Sequence, residues 1–231
     1  NTQVGKFEIT SNGQIVNETI KDNKIEGTVV ITKENETGTP LAGAKIEIIN
    51  SANKVVYTGV TNSKGEITDA NLPYGTYTYR EIAAPTGYTI NTQVGKFEIT
   101  SNGQIINETI KDKKIEGTVV ITKENEAGTP LAGAKIEIIN SANKVVYTGV
   151  TNSKGEITDA NLPYGTYTYR EIAAPTGYTI NTQVGKFEIT SNGQIINETI
   201  KDKKIEGTVV ITKENEAGTP LAGAKIEIIN S

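Results

Sequence analysis

The 231-residue sequence contains no cysteine, histidine, methionine or tryptophan. Without cysteine there is no disulfide and no thiolate nucleophile; without histidine there is no Cys/His zinc site and no histidine-based triad. No apolar run approaches membrane-spanning length and no signal-peptide pattern is present, so neither membrane insertion nor export is expected to be encoded in this stretch. The charges, 23 basic against 27 acidic for a net −4, leave no basic surplus to attract nucleic acid or an anionic membrane. Gly-rich phosphate loops are missing too, the segment Asn62–Glu66 reading as a turn, and no cofactor is implied. An enzyme acting on external substrates is therefore disfavoured.

What is present is a repeat. The segment NTQVGKFEIT begins at 1, 91 and 181, a period of 90 residues, and the copies differ at few positions: Val16 against Ile106 and Ile196, Asn23 against Lys113 and Lys203, Thr37 against Ala127 and Ala217. A unit this long exceeds solenoid periods and has the size of a small independent domain. Period-2 apolar patterning predicts strands at 27–34, 44–50, 54–60, 66–68, 76–82, 94–100 and 104–111. Between them, SANK and SNGQ read as hairpin turns, while NLPYG and APTGY carry ladder-breaking Pro and Gly. Seven short strands per unit predict an all-β sandwich. Charged residues at 111–114 mark a junction, giving complete repeats at 24–113 and 114–203. Residues 1–23 then supply the last strands of a preceding repeat and 204–231 the first strands of a following one. With so few joining residues, the sandwiches are expected to stack end to end as a rod.

Alternation in the first strand raises a chemical problem. If Val29 and Ile31 face the core, Lys33 does as well, and a lone buried ammonium is costly. The same rule draws Glu81 inward with Tyr77 and Tyr79, and Asp112 inward with Ile110. Should the first and last strands be neighbours, Lys33 meets Asp112 and Glu81 reaches them from the facing sheet; Lys123, Asp202 and Glu171 repeat the pattern. Three readings stay open at this point: a solvated salt bridge at strand ends, a buried ion cluster, or an amide condensed from lysine and aspartate. The third requires an apolar pocket that favours the free amine and the neutral acid, with Glu81 relaying protons.

The unit GTVVITKENE…PLAGAKIEI…TNSKGEIT…LPYGTYTYREIAAPTGY resembles, over its whole length, the collagen-adhesin B-type (Cna B-type) domain of Gram-positive surface proteins and pilins. The resemblance implies a transthyretin-like, Ig-like sandwich in which the first-strand lysine forms an isopeptide bond with a last-strand Asp or Asn, assisted by the glutamate of the E-x-x-A-P-x-G-Y segment. Carried over, the cross-links are Lys33–Asp112 and Lys123–Asp202, and the catalytic acids are Glu81 and Glu171. Asp22 and Lys213 hold the equivalent positions in the partial repeats, and their cross-linking counterparts would lie in repeats outside this stretch. Asn107 and Asn197 are the alternative acceptors, since the family more often uses Asn; Asn107 is out of phase with Ile110, which favours Asp112.

The implied function is a stalk or fibre segment at a bacterial cell surface, extracellular, with neighbouring repeats as partners, attachment to the cell wall through regions outside this stretch, and lateral or end-to-end fibre assembly. The rival reading is an adhesin module that binds host matrix, for which no aromatic cluster stands out: Tyr57, Tyr74, Tyr77, Tyr79 and Tyr88 are expected to pack in cores and loops.

Overall fold

The computed structural model describes residues 4–229, and among these there is no helix. The first unit has seven strands: β1 (Glu26–Asn35), β2 (Lys45–Asn50), β3 (Val55–Val60), β4 (Glu66–Pro73), β5 (Gly75–Ala83), β6 (Val94–Ile99) and β7 (Ile105–Asp112). They form two sheets with strand orders β4-β1-β7 and β3-β2-β5-β6. The second unit repeats this with β8 (Glu116–Asn125), β9 (Lys135–Asn140), β10 (Val145–Val150), β11 (Glu156–Pro163), β12 (Gly165–Ala173), β13 (Tyr178–Thr179), β14 (Val184–Ile189) and β15 (Gln194–Lys204). Its sheets run β11-β8-β15-β13 and β10-β9-β12-β14. The expected tandem of all-β sandwiches is what the chain forms.

Alternation decides which side chains fill each sandwich. Along β1 the buried positions are Gly27, Val29, Ile31, Lys33 and Asn35, every second residue, and Val29 and Ile31 pack with Ile46, Ile48, Tyr77, Tyr79, Phe97 and Ile99 from the facing sheet. The Tyr77 and Phe97 rings stack at 5.3 Å between centroids. First and last strands are neighbours: β1 runs parallel to β7 with Lys33 opposite Ile110 and Asn35 opposite Asp112, and antiparallel to β4 on its other side.

Four expectations need correction. The strand predicted at 66–68 runs on to Pro73, because a bulge against Gly27–Val29 takes up Asn71 in a left-handed conformation (φ 62°) and the proline sits at the strand end. The SNGQ turn does not close a hairpin. Strand β6 pairs with β5 and β7 with β1, so this turn carries the chain from one sheet to the other. Tyr74, expected to pack, is 66% exposed. Lastly, residues 4–25 contain only a turn at 11–13, and residues 205–229 only turns and an isolated bridge, Glu214–Pro220, instead of the strands of their internal equivalents. The physical reason is partnership: internally these sequences are held by a facing sheet and a neighbouring ladder, whereas here Phe7, Ile20 and Val210 remain exposed. In these segments Asp22 has interactions of its own, and Lys213 is exposed.

Only Lys113, Lys114 and Ile115 separate β7 from β8, and their backbone is held from both sides. Thr89 donates its N–H to the Lys113 carbonyl (2.9 Å), Ile115 donates to Gly87 (2.8 Å), and Tyr164 donates to the Ile115 carbonyl (3.0 Å).

One glycine is indispensable to this packing. Gly95 pairs with Tyr79 across β5 and β6, and a Cβ placed there would lie 2.0 Å from the Tyr79 ring. The ring is buried and cannot swing away, so Gly95→Ala is expected to destabilise the first unit by about 1–3 kcal/mol or more, as overpacking does. The equivalent terminal glycine, Gly5, has nothing within 4 Å. Thermal unfolding should therefore show a lowered transition for Gly95→Ala and none for Gly5→Ala; an unchanged Gly95→Ala profile would show that the ring relaxes freely.

Candidate functional site

Three elements converge at one end of each sandwich. Strand β1 carries Lys33 to full burial, β7 ends on Asp112 at 1% exposure, and β5 brings Glu81 from the other sheet at 5%. The Lys33 ammonium donates to Asp112 Oδ1, and its Nζ lies 2.8 Å from Glu81 Oε2. In the second unit Lys123 Nζ donates to Asp202 Oδ1 and, at 3.0 Å, to Glu171 Oε2. Thus the structure brings together the residues that alternation grouped and seals them from solvent, which removes the solvated surface salt bridge from consideration. Asn107, the alternative acceptor, is exposed on the opposite face of β7.

The hydrogen-bond inventory is incomplete in the same way twice. Glu81 Oε2 accepts from the lysine side and from the Asn91 N–H (2.7 Å), and Glu171 Oε2 likewise from Asn181 (2.7 Å). Glu81 Oε1, Asp112 Oδ2, Glu171 Oε1 and Asp202 Oδ2, all buried, have no donor. Buried acceptors left bare cost about 1–3 kcal/mol each. One ammonium and two carboxylates carry a net negative charge, and a single added proton neutralises the cluster while supplying the missing donor. Burial pushes the Glu81 and Glu171 carboxyls above their ordinary range, with the charge of Asp112 or Asp202 adding to the rise and the lysine and Asn N–H hydrogen bonds opposing it. The glutamate is thus the natural holder of that proton.

A second polar tie between the sheets was not foreseen. Tyr79 donates its phenolic O–H to Glu108 at 2.7 Å, and Tyr169 to Glu198 at 2.8 Å. Burial, and then the neighbouring carboxylate, raises both phenols well above their usual range. The signal was present in the sequence, since Glu108 has the same parity as Ile110 and Asp112.

With the fold and this geometry in hand, the chain is placed by comparison. It belongs to the family described as SpaA prealbumin-like fold domain, which matches twice, at residues 27–114 and 117–204. It is therefore a tandem of Cna B-type, pilin-like domains. Over 214 residues it is 25% identical to the trypsin-resistant surface T6 protein of Streptococcus pyogenes serotype M6, covering 91% of this chain and 37% of that protein. The Bacillus anthracis TIE protein is similar in structure, with a TM-score of 0.74 and 43% identity over 78% of this chain and 35% of its own. A C-terminal fragment of the pilus adhesin SpaC from Lactobacillus rhamnosus GG shares the fold, with a TM-score of 0.57 at 18% identity over 79% of this chain and 99% of the fragment. The chain spans little more than a third of the T6 and TIE proteins.

The raised glutamate makes a signed pH prediction. A carboxyl whose folded pKa lies above its unfolded value, 4.5, stabilises the fold fully below that value, and the contribution is lost as pH rises through the folded pKa. Lys33→Met removes a hydrogen bond that opposes the rise, so the first unit of this variant should melt higher at about pH 4 than at about pH 7, the reverse of ordinary acid denaturation. A melting temperature that climbs over this window would show that Glu81 is ionised in the fold.

Proposed function

We propose that this chain is a length of structural stalk from a cell-surface protein, in which each sandwich is locked by an amide between Lys33 Nζ and Asp112 Cγ, and between Lys123 Nζ and Asp202 Cγ. The observation that carries the reading is the pair of sealed lysines, each against an aspartate and a glutamate that both retain an oxygen without a donor. In the reaction the neutral amine attacks the aspartate carboxyl carbon. The C–N bond forms, the C–O bond to the hydroxyl of the neutral aspartic acid breaks, and that hydroxyl leaves as water with one hydrogen from the amine. Glu81 or Glu171 donates a proton to the departing oxygen and recovers one from the attacking nitrogen, so it acts catalytically and is unchanged at the end. Both charges disappear from the core, which removes the desolvation cost that a buried ion pair carries.

The consequence is mechanical. Lys33 and Asp112 stand 79 positions apart, and by analogy with disulfides closing a loop of that size contributes on the order of 4 kcal/mol through the unfolded state. Tension entering along β1 crosses the bond to β7 and leaves through the three-residue joint, so the strands between need not extend. The T6 relative is named trypsin-resistant, a property that a covalently closed sandwich supplies without cysteine. On this reading the complete repeats are 24–113 and 114–203, the surroundings are extracellular, and the partners are further repeats of the same protein, arranged end to end as a rod and assembled into fibres. Wall attachment would lie in regions outside this stretch.

Intact mass tests the proposal. The chain is expected to weigh two waters less than its sequence, and trypsin should release two branched peptides distinguished by Thr37 in one and Ala127 in the other. Glu81→Ala should abolish only the first. A mass equal to the sequence would refute the cross-links, and loss of ammonia would move them to Asn107 and Asn197.

A further inference from the structure

Glu81 is held by a residue that has no part in the reaction as described. Asn91 makes three hydrogen bonds: its N–H donates to Glu81 Oε2 (2.7 Å), its side-chain Nδ2 donates to the carbonyl of Lys111 (2.9 Å), and its Oδ1 accepts from the N–H of Gln93 (2.8 Å). Lys111 immediately precedes Asp112 on β7. One side chain therefore ties the turn that carries the donor of Glu81 to the strand that carries the aspartate. The second unit repeats all three contacts, with Asn181 joined to Glu171 (2.7 Å), Lys201 (2.8 Å) and Gln183 (2.8 Å).

The clamp has a chemical consequence. The Asn91 N–H and the lysine both address Oε2, so that oxygen is supplied with donors and the proton of the neutral acid belongs on Oε1. Oε1 is the buried oxygen left bare, and Asp112 Oδ2 is the other. We propose that Asn91 and Asn181 are positioning residues for amide formation: each holds its glutamate so that the proton-bearing oxygen is Oε1, and locks that glutamate in register with the aspartate through the β7 or β15 carbonyl. The inference rests on the cross-linking reading, with Glu81 facing Lys33 of β1 and Asp112 of β7.

The test uses the full chain, pulse-labelled during cell-free synthesis and chased at several pH values, with both branched peptides followed by mass. The Thr37/Ala127 difference lets the second unit serve as the clock for the first in the same molecule. Asn91→Ala is expected to slow the first linkage about tenfold relative to the second, because the backbone N–H that addresses Glu81 loses the side-chain hydrogen bonds to Lys111 and Gln93 that hold it in place. It should also move the alkaline limb of the first unit's rate profile to higher pH, because an N–H that stabilised the carboxylate is loosened. A merely structural role would not move that limb. If the alanine variant fails to fold, Asn91→Ser keeps an acceptor for Gln93 while losing the Lys111 carbonyl, and should show the same slowing and shift. Rates and limbs equal in the two units would overturn the clamp, whereas wild-type chain with neither peptide branched would instead refute the cross-linking reading beneath it.

Discussion

An ammonium group delivered into the interior of a β-sandwich must be met there by matching chemistry, and each unit is organised around meeting it. Lys33 cannot turn outward without shifting the register of β1, which would also expel Val29 and Ile31 from the core. The partners must therefore come to the lysine: Asp112 from the parallel neighbour on one side, Glu81 from the facing sheet. The topology that makes this convergence is the crossover between β6 and β7, which returns the last strand to the side of the first. An ion cluster in this position would be a poor stabiliser, since desolvation offsets most of its Coulombic attraction. The proposed condensation to an amide would turn the same residues into a net gain, and this is how the proposed chemistry and the fold would explain each other.

Placement of the site also ties it to the joint between the two units. Lys33 lies late in β1 and Asp112 at the end of β7, next to the joint at which Lys113 and Ile115 are hydrogen-bonded to neighbouring loops. A bond there would connect the load-bearing path of one unit to the start of the next with little slack. The Tyr79–Glu108 and Tyr169–Glu198 hydrogen bonds tie the same two sheets farther along the core, and Gly95 and Gly185 leave the space their rings need.

Much of this was legible from alternation, because period 2 is rigid: once Val29 is inward, Lys33 is inward, and the same logic placed Asp112 and Glu81. Glu108 obeyed the identical rule and was overlooked only because a glutamate between polar neighbours attracts no notice without its tyrosine. Turn chemistry was less informative. SNGQ signals a reversal of direction, but whether the chain re-enters the same sheet or crosses to the other depends on which face of the following strand is apolar and what is left to pair with. The extension of β4 through Asn71 to Pro73 was hidden for a related reason, as a bulge lets residues that usually end a ladder sit within one. The Asn91 clamp depends on a loop folding back over β7, which no local pattern encodes.

The most direct test of the account is mechanical. Single chains held by their ends and stretched should show no release of the segment between Lys33 and Asp112, because a covalent bond bypasses it. Unfolding steps of roughly 260 Å per unit, the extended length of those 79 positions at about 3.3–3.6 Å per residue, would contradict the claim that the two strands are joined.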